Sequence, residues 1–295
     1  MNFTKNISII STAIRPRTLG VTFSPVLIGT TMAFASGKGH LNTALACLIC
    51  ALLIQIGTNL SNDYFDFIKG SDTEDRLGPT RVTQAGIITP SKMLKIFAFV
   101  FGLAVLVGIF LVVRGGWPIF IIGILSIISG ILYTGGPLPL GYIGLGDVFV
   151  FIFFGPIAVC GTFYVQTLEL PFEVFVAGLG PGFLSMSLLS VNNLRDEPTD
   201  KKSGKKTLAV LFGTGFAKLE YTLSFVLSLL IPVFLAFFIN SHWSICFSLV
   251  IIIPGYFAIR IILFEKGKDL NKALNISGII IILYGIIFSF GWWIG

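Results

Sequence analysis

The sequence predicts an all-α polytopic membrane protein that forms a single transmembrane domain over residues 1–295. The chain is 55% hydrophobic and only 12% charged, whereas a soluble domain is about 45–50% apolar and about 25% charged. Its apolar residues come in runs of about twenty or more, which is the length that crosses a bilayer as a helix. Such runs favour helices because a helix satisfies its own backbone hydrogen bonds where no water is present.

Nine apolar runs predict nine transmembrane helices. Their predicted bounds are Thr18–Ser36, Thr43–Phe67, Lys92–Val113, Trp117–Thr134, Leu145–Gln166, Phe172–Leu194, Phe216–Ile239, Trp243–Leu263 and Ala273–Trp293. The fourth run is short and contains glycine. The segments between the runs leave no room for a separate soluble domain.

The positions of Lys and Arg support this count and set an orientation. With a cytoplasmic N-terminus, nine spans place all of the 20 Lys and Arg residues except Lys38 and Arg114 on the cytoplasmic side. Cytoplasmic loops collect Lys and Arg, and one span more or fewer would scramble the bias. We therefore predict a protein of the cell (inner) membrane, embedded in the lipid bilayer, with its C-terminus on the opposite side. This topology also explains the net charge of +6, so no nucleic acid partner is predicted.

The second predicted helix ends in a polar stretch that is rich in aspartate. We call its acids and amides the first aspartate cluster: Asn59, Asn62, Asp63, Asp66, Asp72 and Asp75. Asn59, Asp63 and Asp66 are spaced by four and three residues, which puts them on one face of a helix. Gly70 is expected to break the helix, so that Asp72 can fold back toward that face. Carboxylates this dense repel one another unless a cation lies among them.

The sixth predicted helix ends in a second aspartate cluster, which we define as Asn192, Asn193, Asp196 and Asp200. Asn192, Asp196 and Asp200 fall at positions i, i+4 and i+8, on one helix face. Pro198 is expected to bend or end the helix between the two aspartates. Both clusters follow even-numbered spans, so both are predicted to lie on the cytoplasmic side.

Together the two clusters predict a site for Mg²⁺ and a diphosphate. Mg²⁺ prefers oxygen ligands, takes only one or two carboxylates, and completes its shell with water and substrate phosphates. Acids at the ends of membrane segments are costly, which favours a functional interpretation. Basic residues beside the clusters are candidates for neutralising phosphate oxygens. They are Arg76, Arg81, Arg195, Lys201, Lys205 and Lys206.

Four segments carry a resemblance to one known family. They are IRPRTLG, NLSNDYFDFIKGSDTEDRLGPTRVTQAGIITP, YTGGPLPLGYIGLGD and NNLRDEPTDKKSGKKTLAV. In this order they resemble the motifs of the UbiA superfamily of intramembrane prenyltransferases. Many members carry the last acid of the first motif where this chain has Gly70. Here that acid arrives at Asp72, an offset that resembles the branch acting on 1,4-dihydroxy-2-naphthoate.

The resemblance implies a bundle of nine helices around a central cavity that opens sideways to lipid. It implies polyprenyl diphosphate as donor, Mg²⁺ as cofactor and 1,4-dihydroxy-2-naphthoate as acceptor, with demethylmenaquinone, CO₂ and diphosphate as products. The implied catalytic and metal ligands are Asp63, Asp66, Asp196 and Asp200, with Asp72 assisting at the metal. The implied substrate-binding residues are Asn59, Asn62, Arg81, Tyr133, Asn192, Asn193, Lys205 and Lys206.

Several groups around the reacting carbons stay open at this point. Candidates for π faces beside an allylic cation are Tyr64, Tyr133, Tyr142 and Tyr164. Candidates for the cation that holds the acceptor carboxylate are Arg15, Arg17 and Arg195. Other branches place a Lys or Arg in the loop after the Tyr133 motif, whereas residues 135–144 contain none. Another cation then binds the phosphate in this chain, or that loop position matters less in this branch.

Two alternatives also remain. One is the same fold with another acceptor, such as 4-hydroxybenzoate, another aromatic compound or a lipid glycerol. The other is a transporter or channel that uses the aspartates as cation sites. Transporters favour charges near the middle of the bilayer and inverted repeats, whereas both acidic clusters are predicted to lie at one face of this membrane protein.

Overall fold

The structure is a computed structural model that describes residues 13–71, 77–78, 81–238 and 242–295, with only the backbone of Arg17. The regular structure within these ranges is entirely helical. Helices α1 to α9 span Pro16–Ala35, Leu41–Ile68, Pro90–Leu132, Gly146–Ile152, Ala158–Thr167, Phe172–Lys202, Leu208–Phe238, Ile252–Phe264 and Leu270–Ile294. A π-helical turn at Phe153–Ile157 joins α4 to α5, and short 3₁₀ segments lie at Leu140–Tyr142, Trp243–Ile251 and Gly267–Asp269.

By length and composition, the described residues contain eight helices that could cross a membrane. The longest, α3, leaves the helical conformation at Gly116, where φ is 67° and ψ is −153°. A straight helix would place Phe101 and Ile131 about 45 Å apart, yet both belong to one packed cluster. Helix α3 is therefore a hairpin, and its arms correspond to the predicted third and fourth spans. The count of nine spans stays a prediction, which this hairpin supports.

Helix α6 is longer than the sequence predicts and runs through both of its prolines. It continues from Phe172 to Lys202 without ending at Pro198. Lys201 and Lys202 occupy its last turn, where positive charge is favourable beside the helix dipole. The expectation that Pro198 could end the helix between Asp196 and Asp200 was therefore wrong.

Glycines in α6 allow two helices to approach closely. A Cβ atom at Gly155, in the π-helical turn, would lie 2.7 Å from the carbonyl oxygen of Gly178 and 2.7 Å from the Cα atom of Gly182. Small residues at such crossings let backbones come into contact in a membrane protein. The crossing fixes the position of the α4–α5 segment against α6, and thereby the wall of a cavity.

An apolar cavity of about 230 Å³ lies between α2, α3 and the α4–α5 segment. Gln55, Thr58 and Tyr133 line it near the first aspartate cluster, and Cys47 and Leu111 line it further from that cluster. From Cys47 to Thr58 the wall formed by α2 is about 16 Å long. The cavity therefore runs from the aspartate-bearing end of the bundle into its apolar interior.

The outer faces of the helices suit a lipid environment. Large apolar side chains such as Phe99, Leu106 and Val113 of α3 stay exposed. Helix α1 packs against α9, α2 against α3, and α6 against α7, and these contacts bury the polar ends of α2 and α6. Exposed apolar side chains and buried acids together reverse the pattern of a soluble protein.

Candidate functional site

The last turns of α2 direct the first aspartate cluster toward the interior of the helix bundle. Asn59, Asp63 and Asp66 are all buried, as their spacing on one helix face predicts. Helix α2 ends at Ile68, and Gly70 follows with φ of 67°, a conformation that glycine adopts at little cost. The predicted helix break at Gly70 is confirmed, whereas Asp72, Asp75 and Arg76 lie outside the described residues.

Asp63 anchors the chain where it returns from that loop. Its carboxylate accepts hydrogen bonds from the backbone N–H groups of Val82, at 3.1 Å, and Thr83, at 3.0 Å. Bonds from backbone amides to a carboxylate are charge-assisted and strong. They hold the neighbouring Arg81, itself buried, against the first aspartate cluster.

Asp66 is the most heavily contacted acid of the site. Arg81 Nη2 lies 2.8 Å from its Oδ2 atom. The Tyr142 hydroxyl donates to Oδ1 at 2.7 Å, and Lys205 Nζ lies 3.5 Å from the same oxygen. The Tyr142 oxygen is also 2.6 Å from the Ser71 hydroxyl. Only 1% of the Asp66 side chain is exposed, and two cations and a phenol surround its carboxyl group, which offsets the cost of burying it.

Arg195 organises the second aspartate cluster. Its guanidinium donates two hydrogen bonds to the Asp196 carboxylate, from Nε to Oδ1 at 2.7 Å and from Nη2 to Oδ2 at 2.6 Å. It also donates to Asn192 at 2.7 Å and to Asn271, at the start of α9, at 2.9 Å. Four of the five N–H groups of a guanidinium are thereby directed at protein oxygens. Arg195 is suited to holding Asp196 in place, and less so to holding an acceptor carboxylate.

One lysine brings the two clusters together. Lys205 Nζ lies 3.5 Å from Asp66 Oδ1 and 3.9 Å from Asp200 Oδ1. Gly204, with φ of 76°, turns the chain back so that the Lys205 amide donates to the Asp200 carbonyl at 2.9 Å. The next amide, that of Lys206, donates to the Tyr142 carbonyl at 2.9 Å. The clusters therefore face each other across Lys205, as the parity of the helices predicts.

The amides of both clusters make contacts that the sequence did not specify. Asn59 donates to the Ile14 carbonyl and the Thr18 hydroxyl, both at 2.9 Å. Asn62 accepts a bond of 2.8 Å from Thr134, and Asn193 lies 3.5 Å from Asp147. These contacts connect the two clusters to α1, to the end of α3 and to the start of α4.

The four tyrosine candidates lie in different places. Tyr133 lines the cavity, and Tyr142 contacts Asp66. Tyr64 packs against Phe65 and Phe97, and Tyr164 packs against the apolar cluster that lines the end of the cavity further from the first aspartate cluster. Of the four candidates, Tyr133 is the one that lines the cavity.

The donor set fits Mg²⁺ only in the company of a phosphate ligand. Within the described residues, no three His, Cys, Asp or Glu side chains converge as a closed metal cage. Asp66 and Asp200 instead offer carboxylate oxygens on two sides of one ammonium group. Mg²⁺ commonly takes one or two carboxylates and draws its other ligands from water and phosphate. Two carboxylates flanked by cations therefore suit Mg²⁺ that is bound together with a phosphate ligand.

Sequence reasoning missed three residues of this site. Lys69 directly follows the end of α2, and its ammonium group donates to the Thr134 carbonyl after α3. Asn271 comes from α9, and Asp147 lies beside Asn193. Lys69 and Asp147 fall inside the segments that carry the family resemblance, so their position was a usable signal. Asn271 lies far along the chain from Arg195, and no local pattern indicates that contact.

Comparisons with known proteins agree with this geometry. The chain matches the UbiA prenyltransferase family over residues 22–292. It is 38% identical over 244 residues to the 1,4-dihydroxy-2-naphthoate octaprenyltransferase of Escherichia coli (strain K12), covering 80% of this chain and 79% of that protein. It is 33% identical over 292 residues to the protein of the same name from Haemophilus influenzae, covering 95% and 94%.

Solved structures share the fold. The structure of a UbiA homologue from Archaeoglobus fulgidus bound to DMAPP and Mg²⁺ matches this chain with a TM-score of 0.68 at 15% identity. The match covers 95% of this chain and 99% of the homologue. The all-α bundle predicted from sequence is thereby confirmed.

The Arg195–Asp196 pair makes a first testable prediction. Replacing Arg195 by Met leaves a buried carboxylate without its cation, and we expect the free energy of unfolding to fall by about 3–5 kcal/mol. Adding Asp196→Asn removes that carboxylate. The free energy of unfolding of the double variant should therefore fall by much less than the sum of the decreases in the two single variants. Denaturant unfolding of the detergent-purified protein measures all three variants. Simple additivity would show that the two side chains do not act as a pair.

Proposed function

This chain belongs to the UbiA prenyltransferase family, and we propose that it transfers a polyprenyl group from polyprenyl diphosphate to 1,4-dihydroxy-2-naphthoate. Loss of CO₂ and diphosphate gives demethylmenaquinone in its reduced, hydroquinone form, a step of menaquinone biosynthesis. The observation that carries this proposal is the convergence of two aspartate clusters on Lys205 beside an apolar cavity. Relatives that align with most of the chain and act on the same naphthoate support the choice of acceptor.

The residues that would hold Mg²⁺ are Asp63, Asp66, Asp196 and Asp200, with Asp72 assisting from outside the described residues. Bound Mg²⁺ supplies positive charge that stabilises the departing diphosphate. The chain itself supplies further cations at the same place. Arg81 and Lys205 contact Asp66, and Lys206 follows Lys205 in the chain with an exposed side chain. We assign these three cations to the phosphate oxygens, whose charge grows as the allylic C–O bond breaks.

The cavity suits the hydrocarbon part of the donor. Its walls between Cys47 and Thr58 of α2 are largely apolar, so they accommodate an isoprenoid chain and exclude water. Exclusion of water protects a reactive cation from hydrolysis. Tyr133 lines the cavity and offers a π face to positive charge.

The bonds balance as follows. The allylic C–O bond breaks, and its electron pair leaves with the diphosphate. The naphthoate carbon that bears the carboxylate donates an electron pair to the allylic carbon and forms the new C–C bond. The bond from that ring carbon to the carboxylate then breaks, its electron pair returns to the ring, and CO₂ departs. No external oxidant or reductant is needed for this step.

We also propose that both clusters face the cytoplasm. The two basic residues outside the cytoplasmic set, Lys38 and Arg114, belong to one end of the structure: Arg114 donates to the Val165 and Gln166 carbonyls, and Lys38 pairs with Glu169. The aspartate clusters lie at the other ends of α2 and α6. The positive-inside rule therefore assigns the cluster-bearing end to the cytoplasm of the cell membrane, and the C-terminus to the opposite side.

The acceptor makes the second prediction. With Mg²⁺, a labelled polyprenyl diphosphate and 1,4-dihydroxy-2-naphthoate labelled in its carboxyl group, the detergent-purified protein should prenylate the naphthoate and release labelled CO₂. We expect little product from 4-hydroxybenzoate under the same conditions. Product analysis by chromatography measures both reactions. Preferential use of 4-hydroxybenzoate would refute the acceptor assignment and leave the prenyltransferase family unaffected.

The acids make the third prediction. Asp200→Asn removes one carboxylate beside Lys205 and should lower turnover by about 10²–10³-fold, which is typical for the loss of one electrostatic contact to a transition state. Asp269→Asn is the matched control, because Asp269 pairs with exposed Lys272 outside the site and should leave turnover unchanged. Chelation of divalent metal should stop the wild-type reaction. Near-normal turnover of the Asp200 variant would remove that residue from the site.

A further inference from the structure

The loop between α3 and α4 lacks basic residues of its own but receives one from α2. Residues 135–144 contain no Lys or Arg. Lys69, one residue beyond the end of α2, donates from Nζ to the Thr134 carbonyl at 2.7 Å and is 3.4 Å from the Gly136 carbonyl. The first aspartate cluster and a cation that enters this loop are therefore carried by the same helix end.

Tyr142 joins that cation to the rest of the site. Lys69 Nζ lies 4.8 Å from the centre of the Tyr142 ring, and Lys205 Nζ lies 4.9 Å from it. The hydroxyl of the same ring donates to Asp66 at 2.7 Å. One tyrosine thus contacts two ammonium groups and a carboxylate.

The local charge favours an incoming anion. Burial and the neighbouring Lys205 lower the pKa of Lys69, and Asp66 opposes that shift. Asp66 already forms an ion pair with Arg81 at 2.8 Å, so one carboxyl group faces several cations. An ammonium group carries three N–H donors, and carbonyl oxygens satisfy only part of that capacity for Lys69.

We propose that Lys69 binds the diphosphate of the donor together with Lys205, the other ammonium group beside the Tyr142 ring. The proposal rests on the function proposed above and adds a binding residue to it. Once metal engages Asp66 and Asp200, Lys205 needs a new anionic partner, and the diphosphate provides one. Lys69 supplies the second ammonium group from the side of the loop that has no cation of its own.

The alternative is that Lys69 only fastens the loop to α2. A fastening role predicts that loss of Lys69 lowers thermal stability and weakens the binding of both substrates to a similar extent. A binding role predicts that only the affinity for the diphosphate falls. It also predicts that arginine, which keeps the charge and the donors, preserves most of the affinity.

The test compares Lys69→Gln, Lys69→Arg and the control Lys272→Gln in the detergent-purified protein. Lys272 is exposed and pairs with Asp269 outside the site. Binding of inorganic diphosphate in the presence of Mg²⁺ is measured by calorimetry, and KM is measured for both substrates. For Lys69→Gln we expect diphosphate affinity to fall about 10- to 100-fold, as for a lost charged hydrogen bond, with the KM of the naphthoate unchanged. Lys69→Arg should stay within a few fold of wild type, and Lys272→Gln should match wild type.

Unchanged diphosphate affinity in Lys69→Gln would overturn the assignment of Lys69 and leave the proposed function standing. The assignment would also be overturned if Lys69→Gln weakened the binding of both substrates equally and lowered the melting temperature, and if Lys69→Arg failed to restore them. That result would favour a fastening role. If wild-type protein binds no diphosphate with Mg²⁺, the proposed function and the Lys69 assignment fail together. The wild-type measurement therefore separates the two failures.

Discussion

The rest of the structure depends on how the buried carboxyl group of Asp66 finds partners at the end of a membrane helix. A buried carboxylate without a partner costs several kcal/mol, so Asp66 must have cations or donors near it. The fold brings these from three directions: Arg81 from the returning loop, Tyr142 from the segment after α3, and Lys205 from the turn after α6. Each contact fixes one of the segments that enclose the site.

The same requirement connects the charged and apolar parts of the molecule. Arg195 holds Asp196 as Arg81 holds Asp66, so each aspartate cluster has its own buried guanidinium. Lys205 lies between the clusters, and Tyr133 lines the cavity next to them. A substrate with a diphosphate head and a hydrocarbon tail matches this division, because its charge lies among fixed cations and its chain lies among apolar walls. Fixed charges cost little reorganisation when the leaving group develops its own charge.

Much of this arrangement could be predicted from sequence because it depends on short-range patterns. The spacing of Asn59, Asp63 and Asp66 predicts their common face, Gly70 predicts the end of α2, and helix parity brings the clusters to one side. What could not be predicted depends on contacts between distant segments. No local pattern pairs Arg195 with Asn271 or places Lys69 in the loop after α3. The helix continues through Pro198 against local propensity, where tertiary contacts hold α6 in place.

The most direct test is to locate the metal and the donor in the full-length protein. A crystal soaked with Mn²⁺ and a non-cleavable prenyl thiolodiphosphate would show the metal by its anomalous scattering. We expect the metal between Asp66 and Asp200, the diphosphate in contact with Lys205, and the prenyl chain in the cavity beside Tyr133. A metal bound elsewhere, or a diphosphate that leaves Lys205 bridging the two aspartates, would contradict the assignment of the two clusters to one shared site.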